Sequence, residues 1–80
     1  MTKEQVYEQL NEIFRDVFDD EELTVGETTT ADDVDGWDSL MHITLIVTIE
    51  NTFGMKFAMN EITAMKNVAE MVDIILSKAK

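Results

Sequence analysis

No cysteine occurs in the 80-residue sequence. Disulfides, thiolate metal sites and cysteine nucleophiles are therefore excluded. A single histidine also excludes a multi-histidine metal centre. Proline is absent, and no apolar run is long enough to span a bilayer. The N-terminus lacks the basic and apolar regions of a signal peptide. Basic residues are scarce, and none lies between Arg15 and Lys56. These absences leave one small, cytoplasmic, largely helical domain over residues 1–80 as the expectation. A domain of this size buries only a modest fraction of its surface.

What the chain has in excess is negative charge, with a formal net charge of −11. The acids crowd the stretch without cations: Asp16, Asp19, Asp20, Glu21, Glu22, Glu27, Asp32, Asp33, Asp35, Asp38 and Glu50. Such a field repels nucleic acid phosphates and anionic membranes. Neither nucleic acid binding nor membrane insertion is expected. A basic protein surface would be attracted and its encounter accelerated. Acidic excess also simply keeps a small protein soluble, so charge alone does not choose a partner.

Apolar spacing predicts three main helices and one short one. Thr2 and Gln5 fit a capping box. Val6, Leu10, Ile13, Phe14 and Val17 then form one stripe, with Glu4, Glu8 and Glu12 opposite. This helix should stop near Phe18. The segment from Asp19 to Asp38 shows no helical period and forms a long first loop, a kind of segment that is often functional. Leu23, Val25, Val34 and Trp37 are its candidate core anchors. Thr28, Thr29 and Thr30 suit a turn, and Ala31 to Val34 suits a single helical turn. Gly36 supplies a tight turn, Asp38 caps the next helix, and Ser39 is its first residue. That helix should run to about Phe53, with Gly54 as terminator. Leu45, Ile46, Ile49 and Phe53 cluster on one side of it, and Leu40, Ile43 and Val47 form an adjacent patch. A short helix is expected over Asn60 to Met65, after a connection through Lys56 and Phe57. Asn67 and Glu70 have capping-box spacing for the last helix, which carries Val68, Met71, Val72, Ile75 and Leu76 inward. Lys78 and Lys80 suit its C-terminal dipole. The expected fold is all-α, a four-helix bundle with a long first loop.

Three chemistries compete for the stretch Asp35-Gly36-Trp37-Asp38-Ser39-Leu40. A calcium loop with Gly36 at its sixth position would begin at Ala31 and end at His42, so the end ligands are missing. A hydrolase would use Ser39, Asp38 and His42, but Trp37-Asp38-Ser39-Leu40-Met41 is not a nucleophile elbow and no second glycine-rich loop could form an oxyanion hole. The third reading is that Ser39 carries a group. A phosphodiester at a helix N-terminus is favoured by unpaired amides and the helix dipole. Asp38 opposes a phosphate by repulsion, so it either only caps the helix or orients a modifying enzyme or its metal.

Asp38-Ser39-Leu40 preceded by Gly36, the Glu50-x-x-Phe53 helix end and the entry through Lys56 and Phe57 resemble the acyl carrier protein family. The resemblance extends over essentially the whole chain. It implies that Ser39 bears 4′-phosphopantetheine, placed by a phosphopantetheinyl transferase from coenzyme A, with Asp38 as the motif acid. The protein would be a monomeric carrier of acyl thioesters, not a catalyst, and would bind no metal. Acyl-loading and acyl-processing enzymes with basic docking surfaces would meet Leu40, Ile43, Val47 and Asp35. The acyl chain would retreat among His42, Leu45, Ile46, Ile49, Phe53, Ile62 and Met65. Met55, Met59, Met65 and Met71 would make such a core adaptable.

One face departs from the family pattern. Carriers of bacterial fatty acid synthesis usually bear acids where this helix has Met41, Thr44, Thr48, Asn51 and Thr52. This departure, with Trp37 beside the motif, points to a dedicated polyketide or specialised lipid pathway with its own ligase or transferase. Two alternatives stay open: an aminoacyl or peptidyl carrier of the same fold, and an unmodified helical interaction module.

Overall fold

The computed structural model describes residues 2–79. Lys80, expected at the end of the last helix, lies outside them. Four α-helices follow one another: α1 (Lys3–Val17), α2 (Ser39–Phe53), α3 (Met59–Ala64) and α4 (Val68–Lys78). No strand occurs among the described residues. The expected all-α bundle with its long first loop is the observed fold.

Each main helix starts and faces inward for reasons present in its own sequence. Thr2 Oγ1 accepts from the Gln5 N–H at 3.2 Å, and Gln5 Oε1 accepts from the Thr2 N–H at 2.9 Å, completing the capping box of α1. Val6, Leu10, Ile13 and Phe14 of α1 are buried. They meet Leu45, Ile46, Ile49 and Phe53 of α2, and Val68, Met71, Val72 and Ile75 of α4 in one core. Helix α2 ends at Gly54, whose φ of 64° lies in the left-handed region.

One boundary and one cap differ from expectation. Helix α3 runs from Met59 to Ala64, one residue earlier than Asn60 to Met65. The Glu61 carboxylate accepts from the Ala58 N–H at 2.7 Å, which fixes the first turn at Met59. Met59 is consequently exposed and adds nothing to the core, whereas Met55 and Met71 are buried. At α4 only half of the expected capping box forms. Asn67 Oδ1 accepts from the Glu70 N–H at 3.0 Å, but the Glu70 carboxylate reaches past Asn67 to the Lys66 N–H.

The first loop is fastened along much of its length. Val25 and Val34 are buried, and Leu23 and Trp37 pack partly against the core. Asn11 of α1 clamps the loop backbone: its Oδ1 accepts from the Val25 N–H at 2.7 Å, while its Nδ2 donates to the Tyr7 carbonyl at 2.9 Å. One helical turn on, Arg15 Nε donates to the Leu23 carbonyl at 2.8 Å. The threonine turn spans Gly26 to Thr29, closed by a Thr29 N–H to Gly26 carbonyl bond of 3.1 Å. A 3-10 turn follows over Ala31–Asp33. The loop also caps α4, since the Val68 and Ala69 N–H groups donate to the carbonyls of Thr29 and Glu27 at 2.9 and 3.3 Å. Those amides open α4 and would otherwise lack acceptors.

Candidate functional site

The approach to α2 is a tight turn. Gly36 has φ of 84°, a conformation that side-chain-bearing residues rarely adopt. The turn presents Asp38 as N-cap, with Oδ1 accepting from the Met41 N–H at 2.9 Å and its carbonyl accepting from the His42 N–H at 2.8 Å. The first two amides of α2, on Ser39 and Leu40, have no protein acceptor among the described residues. Ser39 is exposed beside them, as are Asp38 and Asp35. A hydroxyl next to free N–H groups at a positive helix end suits a phosphodiester on geometry and charge. The Asp38 carboxylate is already engaged in capping.

A cleft of about 740 Å³ opens at Ser39. Trp37, His42, Ile43, Ile62 and Met65 give it apolar walls, Met71 contributes from α4, and Lys66 and Asn67 add polar groups. The expected acyl pocket coincides with this cleft only in part. His42, Ile62 and Met65 line the cleft, but Leu45, Ile46, Ile49 and Phe53 do not. Those four are buried among side chains of α1 and α4, because the inward side of α2 beyond His42 is filled by the core. Ile43, expected only in docking, is a cleft residue as well.

His42 joins three segments at this cleft. Trp37 Nε1–H donates to His42 Nδ1 at 3.1 Å, and His42 Nε2 lies 3.1 Å from the Ile62 carbonyl. Indole nitrogen can only donate, so Nδ1 is the acceptor and the imidazole proton sits on Nε2, donating to Ile62. The Trp37 and His42 rings stack at 5.9 Å, while Phe14 meets the indole edge-on at 5.2 Å. Both imidazole nitrogens are thus committed away from Ser39, which leaves the serine without a histidine base.

Leu40, Ile43 and Val47 are 73%, 58% and 48% exposed and form an apolar stripe along α2. Beside it the hydroxyls of Thr44, Thr48 and Thr52 each donate to the carbonyl four residues back, at 3.4, 2.9 and 2.8 Å. Asn11 and Arg15, which hold the loop that delivers Ser39, were not singled out by apolar periodicity. Their signal is faint: Tyr7, Asn11 and Arg15 recur every four residues along the flank of the α1 stripe.

Residues 8–75 match the protein family described as phosphopantetheine attachment site. An acyl carrier protein of Coprothermobacter proteolyticus is 32% identical over 79 residues, covering 96% of this chain and 94% of that protein. The solution structure of holo acyl carrier protein from Geobacter metallireducens superposes with a TM-score of 0.85 at 42% identity, over 90% of this chain and 83% of that one. The chain therefore belongs to the acyl carrier protein family, whose members bear 4′-phosphopantetheine and carry acyl groups without catalysing their reactions.

Proposed function

We propose that Ser39 is the attachment point of 4′-phosphopantetheine and that the protein carries acyl intermediates in a dedicated polyketide or specialised lipid pathway. The observation that carries this reading is an exposed serine at the first turn of α2, beside free amides and at the edge of an apolar cleft. When bound, the group supplies a terminal thiol for thioester linkage. In the loading step Ser39 Oγ loses its proton, gains the bond to phosphorus, and the nucleotide half of coenzyme A departs. The free Ser39 and Leu40 N–H groups would hold the resulting phosphodiester, while Asp38 keeps the helix end in shape. Walls from Trp37, Ile62 and Met65 exclude water from an apolar cargo.

Phosphopantetheinyl transferase and acyl-processing enzymes dock on Leu40, Ile43 and Val47, with Asp35 and its neighbouring acids drawing basic partner surfaces. The neutral threonine face of α2 supports the dedicated setting, because it offers no acids for enzymes that read them there. The working compartment is the cytoplasm, and the carrier acts as a monomer.

The decisive experiment is incubation with coenzyme A and a broad-range transferase, read by intact mass. A gain of one phosphopantetheine that disappears in Ser39→Ala is expected; a gain that survives the substitution refutes the site. Association with a cognate enzyme should weaken as salt rises, since charges are screened within about 10 Å at 0.1 M. Salt-independent association would remove the charge-steering argument.

A further inference from the structure

We infer that His42 is a specificity-determining residue of the carrier: its bridge from Trp37 to the Ile62 carbonyl closes the floor of the cleft and confines Ser39-linked cargo to the outer cleft. The inference rests on the Ser39 reading for its functional half, while the bridge itself stands independently.

Helix α3 is held on its apolar side by half-buried Ile62, with Met65 just beyond its end, packed against the core. It has only six residues and no buried side chain of its own. A helix this short is marginal without tertiary support. Its last carbonyls have no intrahelical partners, and Ile62 is among them. His42 Nε2–H satisfies that carbonyl from across the cleft. The remaining polar ties lie away from the cleft: the Phe57 N–H donates to Glu50 ahead of the helix, and Lys78 of α4 pairs with Glu61 and donates to the Lys56 carbonyl. The contact with His42 is thus the polar link between α2 and α3 at the cleft itself.

The imidazole is also held from behind. The Trp37 indole donates to Nδ1, stacks on the ring, and is in turn fixed against Phe14 and Phe18. This arrangement selects the tautomer that donates to Ile62 and allows the ring little freedom to rotate. One turn further along α2, Leu45 and Ile46 are buried and absent from the cleft walls. A cargo that outgrows the cleft must part α2 from α3 to reach them, and parting those helices breaks the His42 bond. Cargo that fits the outer cleft leaves it intact. The bridge therefore favours short acyl groups and resists long ones.

The bridge is read first on unmodified protein, from amide exchange of α3 and from the ring nitrogen shifts of His42. His42→Phe removes both hydrogen bonds and Trp37→Phe removes the indole donor while keeping an aromatic ring. Each should raise exchange across Ile62 to Lys66 about fivefold or more, the factor that corresponds to one lost hydrogen bond, with α1 and α4 unchanged. His42→Gln, which retains a donor and an acceptor, should restore much of the protection. Unaltered α3 exchange in both aromatic variants, or a native His42 protonated on Nδ1, overturns the bridge. The functional half is read on holo-protein bearing butyryl to dodecanoyl thioesters. Loading is verified by mass; failure to load Ser39 refutes the attachment site and leaves the exchange result standing. In the native protein hydroxylamine should cleave long thioesters at least as fast as short ones. In His42→Phe the long thioesters should become several-fold slower. Long chains shielded equally in both proteins would overturn the specificity role.

Discussion

Replacing Asn11 with Leu tests whether the first loop is held by one side chain. The two residues have similar shape, so packing on the flank of α1 is largely kept. What is lost is the 2.7 Å bond from the Val25 N–H, the 2.9 Å bond from Nδ2 to the Tyr7 carbonyl and a long 3.4 Å bond from Nδ2 to the Val25 carbonyl. The Val25 amide belongs to a buried residue, and an unsatisfied buried donor costs about 1–3 kcal/mol. The Tyr7 carbonyl retains its helical partner and adds little. The site is only part-buried, so the middle of that range, about 2 kcal/mol, is the expected loss. A domain of this size has a total stability of about 4–12 kcal/mol, which makes the loss a large share. The melting temperature should fall by about 8–16 °C, at about 4–8 °C per kcal/mol. Circular dichroism melts of the native protein and the variant measure it, with Glu12→Gln as an exposed neighbour expected to stay within about 0.5 kcal/mol. Hydrogen exchange should also accelerate at Val25 and at the Val68 and Ala69 amides, which lean on the same loop. A fall smaller than about 2 °C, under the expected few degrees per kcal/mol, would show that the loop is held by its apolar anchors alone.

Three further outcomes follow from the geometry. Asp38→Ala removes the cap of α2 and should cost about 1 kcal/mol in chemical denaturation, whereas Asp38→Asn keeps the cap; if Asp38→Asn also halts loading by the transferase at unchanged stability, the carboxylate serves recognition, and normal loading would limit it to capping. Gly54→Ala meets no neighbouring atom but places a side chain at φ 64°, so a loss of about 1 kcal/mol is expected, and an unchanged denaturation midpoint would contradict the left-handed cap. Lys78, helped by the Ala58 N–H, holds the Glu61 carboxyl below its ordinary value of 4.5. A depressed carboxyl contributes stability that is present above the unfolded value and lost as pH falls through the folded one. Glu61→Gln should therefore flatten the stability profile below about pH 4.5, and parallel acid limbs in the two proteins would refute the pairing.

Much of this architecture was legible because local rules and tertiary packing agree. The α1 and α4 stripes, the Asp38 cap and the Gly54 terminator each follow from spacing or from a single residue's conformational preference. The position of Ser39 at a helix start was legible for the same reason. What escaped were features set by side chains reaching across the chain. The Asn11 and Arg15 clamps depend on a loop whose path carries no period. The outline of the cleft escaped for a related reason. A helical wheel says which residues of α2 point inward but not whether another helix fills the space they enter. Leu45, Ile46, Ile49 and Phe53 point inward into α1 and α4, whereas His42 and Ile43 face the thinly covered side under α3. The one-residue shift of α3 and the divided cap at α4 both arise from Glu side chains, Glu61 and Glu70, choosing between neighbouring amides of nearly equal reach.

The bonds from Val68 and Ala69 back to Thr29 and Glu27 have a topological consequence. The chain leaves this point before α2 and returns to it after α3, so everything between is a ring drawn shut at its neck. Inside the ring lie the serine, the cleft and the exposed stripe of Leu40, Ile43 and Val47; outside it α1 and most of α4 form the stand. The serine and its cleft thus sit on a segment whose two ends are tied to one point of the fold.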